Sequence, residues 1–321
     1  MNILEFTQRF PDEKTCRTHL KTLREQQGIT CEKCESQTRH FYLEKIEKFQ
    51  CSVCNTRNNL RTTTIMEKSK VPVHTWFMCI HLMTTTKKPF SCLELQRQLG
   101  IKKYETCQML MNKIRLNMGI RESKYPLKGE IEMDDSFFEV VDLIEKDGLG
   151  NVITNDNSIL STPYKQKRGR GSQGKQKVLV MVESRQREQT SRYKKSRELG
   201  YVKMIVIDEL DNDSVNYEVS KHIHPNSHII SDNWRGFSRV GNVVSQHTPM
   251  TVRPTESMKK LPWVHTVISN CKREFLGTHH SVSRRYLQNY LNEFCYKLNR
   301  RDFETDLFDR MLISGVKEGW N

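Results

Sequence analysis

Two short cysteine pairs constrain this chain more than any other feature. Cys31-Glu32-Lys33-Cys34 and Cys51-Ser52-Val53-Cys54 stand sixteen residues apart. A Cys-x-x-Cys step lets one tight turn aim two thiolates at a single point, and two such turns complete a tetrahedral set for zinc. Four sulfurs leave no open coordination position, so the ion is expected to be structural. It would stabilise a segment too short to hold a core of its own. His40-Phe41-Tyr42 and Phe49-Gln50, between the pairs, predict two ribbon strands. His40 is surplus to a filled ligand set and reads as an ordinary ribbon residue. Paired cysteines form disulfides only in an oxidising compartment. Met1-Asn2-Ile3-Leu4-Glu5-Phe6 lacks the basic-then-apolar order of a secretory signal, so thiolates and metal are expected instead. Cys16 has no such partner and reads as a small buried residue on a helix spanning Thr15 to Arg24.

After the ribbon, Thr62-Thr63-Thr64 and Ser69 to Pro72 read as a linker. Trp76, Phe77, Ile80 and Leu82 then predict a core-facing helix over Val73 to Met83. In Ser91-Cys92-Leu93-Glu94-Leu95-Gln96-Arg97-Gln98-Leu99-Gly100, Ser91 and Glu94 form a capping box and Gly100 ends the helix. A second helix follows from Tyr104 to Met118, with Cys107, Leu110, Met111 and Ile114 on one face. A short helix, a glycine-bearing turn and a longer helix make a helix-turn-helix pattern. Lys102, Lys103, Lys113 and Arg115 would reach DNA phosphates from it. The competing reading is a purely structural helical hairpin.

Charge points the same way. Lys and Arg outnumber Asp and Glu by 52 to 38, a net charge of +14, which favours a polyanionic partner. No apolar run is long enough to span a bilayer, so a membrane partner is not expected. Lys165-Gln166-Lys167-Arg168-Gly169-Arg170-Gly171-Ser172-Gln173-Gly174-Lys175 combines helix-breaking glycines with mutually repelling cations. Lys167, Arg168 and Arg170 read as an arm that tracks phosphates; the bland alternative is a solvated loop.

The second half carries the chemistry. Gly129-Glu130-Ile131-Glu132-Met133-Asp134-Asp135-Ser136-Phe137-Phe138 alternates apolar and acidic residues, as a half-buried strand does. Asp134 is at its centre. Glu132 shares its face and Asp135 points away. Lys146 to Ser161 is polar and reads as an exposed loop. Val178 to Val182, Met204 to Ile207 and His228 to Ser231 predict further strands, with a helix from Ser214 to His222. The strand His228-Ile229-Ile230-Ser231-Asp232-Asn233-Trp234 ends in a carboxylate. His265-Thr266-Val267-Ile268-Ser269-Asn270-Cys271-Lys272-Arg273 reads as a helix. Carboxylates at the ends of two strands, facing a helix with a third ligand, suit two divalent metals bracketing one phosphate. Trp234 and Arg235 could contact a frayed DNA end, or the tryptophan could simply pack on the core.

Several of these stretches resemble the DDE-type transposases of zinc-ribbon insertion sequences, bacterial relatives of Merlin elements. The nearest likeness runs from Val264-His265-Thr266-Val267-Ile268-Ser269-Asn270 through Gly277-Thr278-His279-His280. Tyr286-Leu287-Gln288-Asn289-Tyr290-Leu291-Asn292-Glu293-Phe294, ending in Asn299-Arg300-Arg301, resembles the family equally. The resemblance spans about Cys31 to Arg301. It implies an α+β, multi-domain chain with a zinc ribbon, a helix-turn-helix and a ribonuclease-H-like α/β catalytic domain. The expected layout is 1–60 for the N-terminal helix and ribbon, 61–125 for the helix-turn-helix, 126–301 for catalysis and 302–321 for a helical tail. In the tail, Phe303, Leu307, Phe308, Met311 and Leu312 would pack or contact a second subunit.

What the resemblance implies of activity is cut-and-paste transposition. The chain would bind terminal inverted repeats and target DNA, and cut and join strands with Mg²⁺ or Mn²⁺ in a homodimer or higher oligomer. The structural ion would be Zn²⁺. Such a protein works in the bacterial cytoplasm on the nucleoid, or in a eukaryotic nucleus. Asp134 and Asp232 match the two family aspartates. Many relatives carry Glu seven residues before a Lys; here that position is His265, before Lys272. Imidazole tolerates the exchange and shifts preference toward softer ions such as Mn²⁺. Asn270 is the alternative third ligand, and Glu274 a further one. The rival reading is a catalytically inactive, transposase-derived DNA-binding regulator.

Overall fold

The computed structural model describes residues 1–37, 39–141, 175–187, 197–251, 260–280, 282–303 and 306–317, together with the backbone of 145–146, 152–153 and 159–160. They fall into two compact units, one of residues 1–124 and 292–321 and one of residues 125–291.

The first unit is mainly helical. Helix α1 (Ile3–Arg9) opens with a capping box between Asn2 and Glu5, and α2 (Glu13–Gln27) is capped by the Asp12 carboxylate. Cys16, Leu20 and Leu23 recur at helical spacing on α2 and are buried, so Cys16 packs as a small apolar residue. Strands β1 (His40–Leu43), β2 (Lys48–Cys51) and β3 (Arg57–Asn59) form an antiparallel ribbon. The polar Arg57-Asn58-Asn59 gives no strand signal of its own and forms one because β2 offers it a free edge. Helix α3 (Val73–Thr85) buries Trp76, Phe77, Cys79, Ile80 and Met83, an apolar surface wider than one stripe. In α4 (Cys92–Leu99) the Ser91 hydroxyl accepts from the Glu94 amide at 3.1 Å, and Gly100, with φ of 63°, ends the helix.

Helix α5 (Tyr104–Ser123) runs five residues past the predicted end at Met118. It runs through Gly119, where a side chain would run into that of Asn292. The buried Arg24 guanidinium ties α2 to the end of β3, donating to the Asn59 and Leu60 carbonyls at 3.1 and 2.8 Å. The C-terminal helix of this unit, Leu307–Lys317, buries Phe308, Met311 and Leu312. Phe308 sits 5.5 Å, ring to ring, from both Phe6 and Phe10, so packing, not a free contact surface, is what its apolar spacing serves.

The second unit is built on a mixed sheet. Its long strands are β4 (Glu130–Val141), β8 (Lys175–Gln186), β9 (Arg197–Ile207), β10 (His228–Asp232) and β11 (Gln246–Met250). They lie in the order β11-β10-β4-β8-β9. Pairing of β4 with β8 and of β8 with β9 is antiparallel; β10 is parallel to β4 and to β11. In chain order the array is third, second, first, fourth, fifth. Val178 to Val182 on β8 are fully buried, which explains their unbroken apolar run. Strand β11, Gln-His-Thr-Pro-Met, is polar edge sequence that no strand pattern announces. Three two-residue strands, β5 (Glu145–Lys146), β6 (Val152–Ile153) and β7 (Ile159–Leu160), pair in the stretch expected to be a plain loop.

The period of two along β4 sorts its side chains. Ile131 and Met133 enter one core with Val215 and Val219 of α6 (Asn212–His222). The even-numbered residues Glu132, Asp134 and Phe138 face the other way, toward helix α7 (Pro262–Thr278).

A candidate metal and nucleic-acid site

Helix α7 follows the open face of β4 residue by residue. Near its start, the Trp263 and Val264 amides donate to Glu132 Oε2 at 2.8 and 3.0 Å. Next, His265 Nδ1 lies 3.5 Å from Asp134 Oδ2. Two turns on, Lys272 Nζ sits 5.5 Å from the centroid of the Phe138 ring, and Phe275 stacks edge-on against that ring at 5.5 Å. His265 and Lys272, seven residues apart, therefore share the helix face turned toward Asp134, as their spacing predicts.

Asp232 reaches this place through sheet register. Ser231 pairs with Met133, so the next residue on β10 comes alongside the next on β4. The Trp234 amide donates to Asp232 Oδ1 at 3.3 Å. Burial, then the neighbouring Asp135 and Asp232 charges, push the Asp134 carboxyl up to about 7. Lys272 opposes that rise. His265 is shifted the other way: burial lowers its pKa, against the pull of Asp232. Its Nδ1 faces Asp134, while its Nε2 is buried without a hydrogen-bond partner among the described residues. Burial, then the Lys175 charge, also lower the Lys272 pKa.

The other third-ligand candidate is turned elsewhere. Asn270 is exposed, and its Oδ1 accepts from the Arg273 guanidinium at 2.9 Å. Five residues beyond His265, it lies about 140° round the helix, on a different face.

In the ribbon, Cys31, Cys34, Cys51 and Cys54 bring their sulfurs within 4.8 Å of one another, and this cluster could hold a metal ion. Among the described residues no other group of three or more Cys, His, Asp or Glu is drawn so close. The two turns are near copies. Glu35 and Asn55, each just after the second cysteine, take left-handed backbone, with φ of 54° and 58°. Their amides donate to Cys31 O and Cys51 O. The Cys31–Cys54 and Cys34–Cys51 sulfurs are 3.5 and 3.7 Å apart. Tetrahedral zinc with Zn–S near 2.3 Å requires about 3.8 Å, so the donor set fits that ion.

The cations expected on DNA divide. Lys102 and Lys103, in the turn before α5, are exposed. Arg115 is not available: it is 2% exposed and donates to Glu293 at 2.7 Å in the same unit. Lys113 is also withdrawn, its ammonium donating to the Glu67 carbonyl at 2.9 Å. The two lie on different sides of α5, and each is taken up by an acceptor within the same unit. Lys167, Arg168 and Arg170 lie outside the described residues. Trp234 packs against the core beneath the sheet. Phe138, the ring under Lys272, carries no functional signal of its own in the sequence, though its strand spacing from Asp134 places it on the same face.

Residues 126–299, more than half of the chain, match a transposase domain of the DDE type. That domain is the ISXO2-like transposase domain, and the chain belongs to its family, as the sequence resemblance implied. No curated protein matches the chain. Among solved structures it is similar to a pre-cleavage Mos1 transpososome, with 10% identity over 97% of this chain and 99% of that one and a TM-score of 0.29. The Mos1 transposase paired-end complex with left transposon end gives 10% identity over 97% and 100%, with a TM-score of 0.28. Among the described residues, no helix is long and apolar enough to cross a membrane.

Proposed function

We propose that this chain is a cut-and-paste DNA transposase in which Asp134, Asp232 and His265 hold the divalent metal ions. The observation that carries the reading is the Asp134–His265 approach at 3.5 Å with His265 Nε2 buried and unpartnered, in a member of a transposase family. Carboxylate oxygens and a neutral imidazole are a donor set that accepts Mn²⁺ and Mg²⁺. When bound, two such ions would supply Lewis-acid stabilisation to the attacking and leaving oxygens of a phosphodiester. The protein's part is to hold a pair of like-charged carboxylates in a half-buried site, where their repulsion favours cation uptake. Lys272 offers a charge to a DNA phosphate from the same helix face.

The rest of the chain serves that centre. The strand order, with the second strand antiparallel to its neighbours, supports a ribonuclease-H-like catalytic domain. The cysteine cluster is a structural Zn²⁺ site. Helices α4 and α5 read as a helix-turn-helix that, with the ribbon, recognises terminal inverted repeats. Lys102 and Lys103 would contact phosphates there, and Lys167, Arg168 and Arg170 would track them from the glycine-rich arm. Joining two ends requires at least a dimer. The layout 1–60, 61–125, 126–301 and 302–321 remains the working division. The site of action is the nucleoid in a bacterium and the nucleus in a eukaryote.

One observation favours a second reading: histidine stands where many relatives carry glutamate, so the chain could be a silent DNA-binding regulator. Cleavage of a labelled element end with Mg²⁺ or Mn²⁺ separates the two. We expect Mn²⁺-dependent cutting by the wild type, lost with Asp134→Ala and His265→Ala and kept with Asn270→Ala. Tight binding without any cutting would mean the regulator. Loss with Asn270→Ala but not His265→Ala would move the third ligand.

A further inference from the structure

We propose that Glu132 is a positioning residue that sets His265 against Asp134; this rests on the metal-site reading above. Helix α7 begins without a cap of its own. Leu261, at its N-cap, makes no side-chain capping bond, and Pro262 at the first position has no amide hydrogen. The next two amides, Trp263 and Val264, both donate to Glu132 Oε2, at 2.8 and 3.0 Å. A helix start leaves such donors unsatisfied unless something outside it accepts them. Here the acceptor is a carboxylate on a neighbouring strand, 3% exposed, where the partial positive end of the helix favours a negative charge.

The consequence lies in spacing. Glu132 and Asp134 are two residues apart on one strand face, and Val264 and His265 are adjacent on the helix. Anchoring the Val264 amide to Glu132 thus fixes both the height and the rotation of α7 where His265 meets Asp134. Buried Val264, Val267 and Cys271 set which side of the helix faces inward, and the Glu132 anchor fixes its first turn. On the sheet side, Arg197 donates to the hydroxyl of Ser184, a residue of β8, at 2.7 Å. One oxygen of Glu132 takes both helix amides, which makes Glu132 a support for the start of α7. Residues that orient ligands in this way typically cost about 10–100-fold in metal affinity when removed.

The test is Mn²⁺ affinity of the full-length, zinc-loaded protein, read from the free-ion electron paramagnetic resonance signal. Glu132→Gln keeps an acceptor oxygen in place and is expected to bind Mn²⁺ within about 3-fold of wild type. Glu132→Ala should weaken binding by about 10–100-fold, with DNA binding by gel shift unchanged. In a His265→Ala background, Glu132→Ala should add no further loss, because its effect runs through His265; a merely structural role would add in full. If Glu132→Ala does not fold, Glu132→Asp draws the acceptor back by one methylene and should share the loss. Wild-type Mn²⁺ affinity in folded Glu132→Ala or Glu132→Asp overturns the proposal, as does a full additional loss in the His265→Ala background. Wild-type affinity in Asp134→Ala would instead overturn the metal-site reading beneath it.

Discussion

The Arg115 guanidinium donates to the Glu293 carboxylate at 2.7 Å, and each side chain is 2% exposed. Lys297 reaches the other oxygen of the same carboxylate at 2.9 Å. Despite burial, the two cations hold the Glu293 carboxyl down at about 2. A buried pair contributes little against well-packed apolar residues, but removing one partner strands the other charge. Glu293→Ala should therefore cost about 3–5 kcal/mol of unfolding free energy. Urea denaturation measures this, and a loss below about 1 kcal/mol would mean that water already reaches the pair.

Lys102 and Lys103 carry the opposite expectation. They are exposed, so replacing both with alanine should leave stability nearly unchanged. Each lysine that neutralises a phosphate adds about 0.9 to the slope of log affinity against log salt, so the double variant should show a slope shallower by about 2. Gel shifts on an element end across a salt series read this directly. An unchanged slope would place DNA on another face of the chain.

The cysteine cluster predicts one zinc per chain, countable by native mass spectrometry. Cys51→Ser should release it and loosen the ribbon, because the three short strands enclose few apolar side chains besides Phe49. A chelator should do the same to the wild type, seen as rapid amide exchange confined to the ribbon. Retention of metal by the serine variant would show that the remaining residues suffice.

His81 gives the chain a pH dependence of stability. It is 2% exposed, stacks on Phe6 at 4.6 Å, and burial with the nearby N-terminal ammonium holds it down to about 4. Between its ordinary 6.5 and about 4, the unfolded chain takes up a proton that the folded chain refuses. Stability is therefore intact above the upper value and falls as pH drops through that window, by up to about 3 kcal/mol. His81→Leu should flatten this part of the profile. Burial lowers His19 in the same way, so a shallower slope should persist. Thermal melts from pH 7 to pH 4 check both, and an unaltered slope in His81→Leu would assign the effect elsewhere.

Much of the candidate site was legible because it depends on local pattern. The cysteine pairs specify a metal knuckle through spacing alone, and the sulfurs converge as that spacing requires. The alternation around Asp134 declares a strand with one polar face. The seven-residue step from His265 to Lys272 declares a shared helix face. Ser91 and Gly100 mark the two ends of α4. Each of these signals is carried by residues within about two turns or one strand, where backbone geometry translates sequence directly into direction.

What the sequence could not decide was which partner each side chain meets across the fold. Lys113 and Arg115 have the charge of phosphate ligands, yet Glu67 and Glu293 take them up, distant acceptors that no local pattern announces. Strand β11 forms because β10 needs a parallel neighbour and not because Gln246 to Met250 favours one. His265 and Asn270 share one helix, and which of them faces Asp134 depends in part on a strand residue more than 130 residues earlier, Glu132, which anchors the helix start. Sequence determined the chemical types present and their local directions. Tertiary packing alone chose among them, because burial and pairing energies act between residues that meet only once the chain has folded.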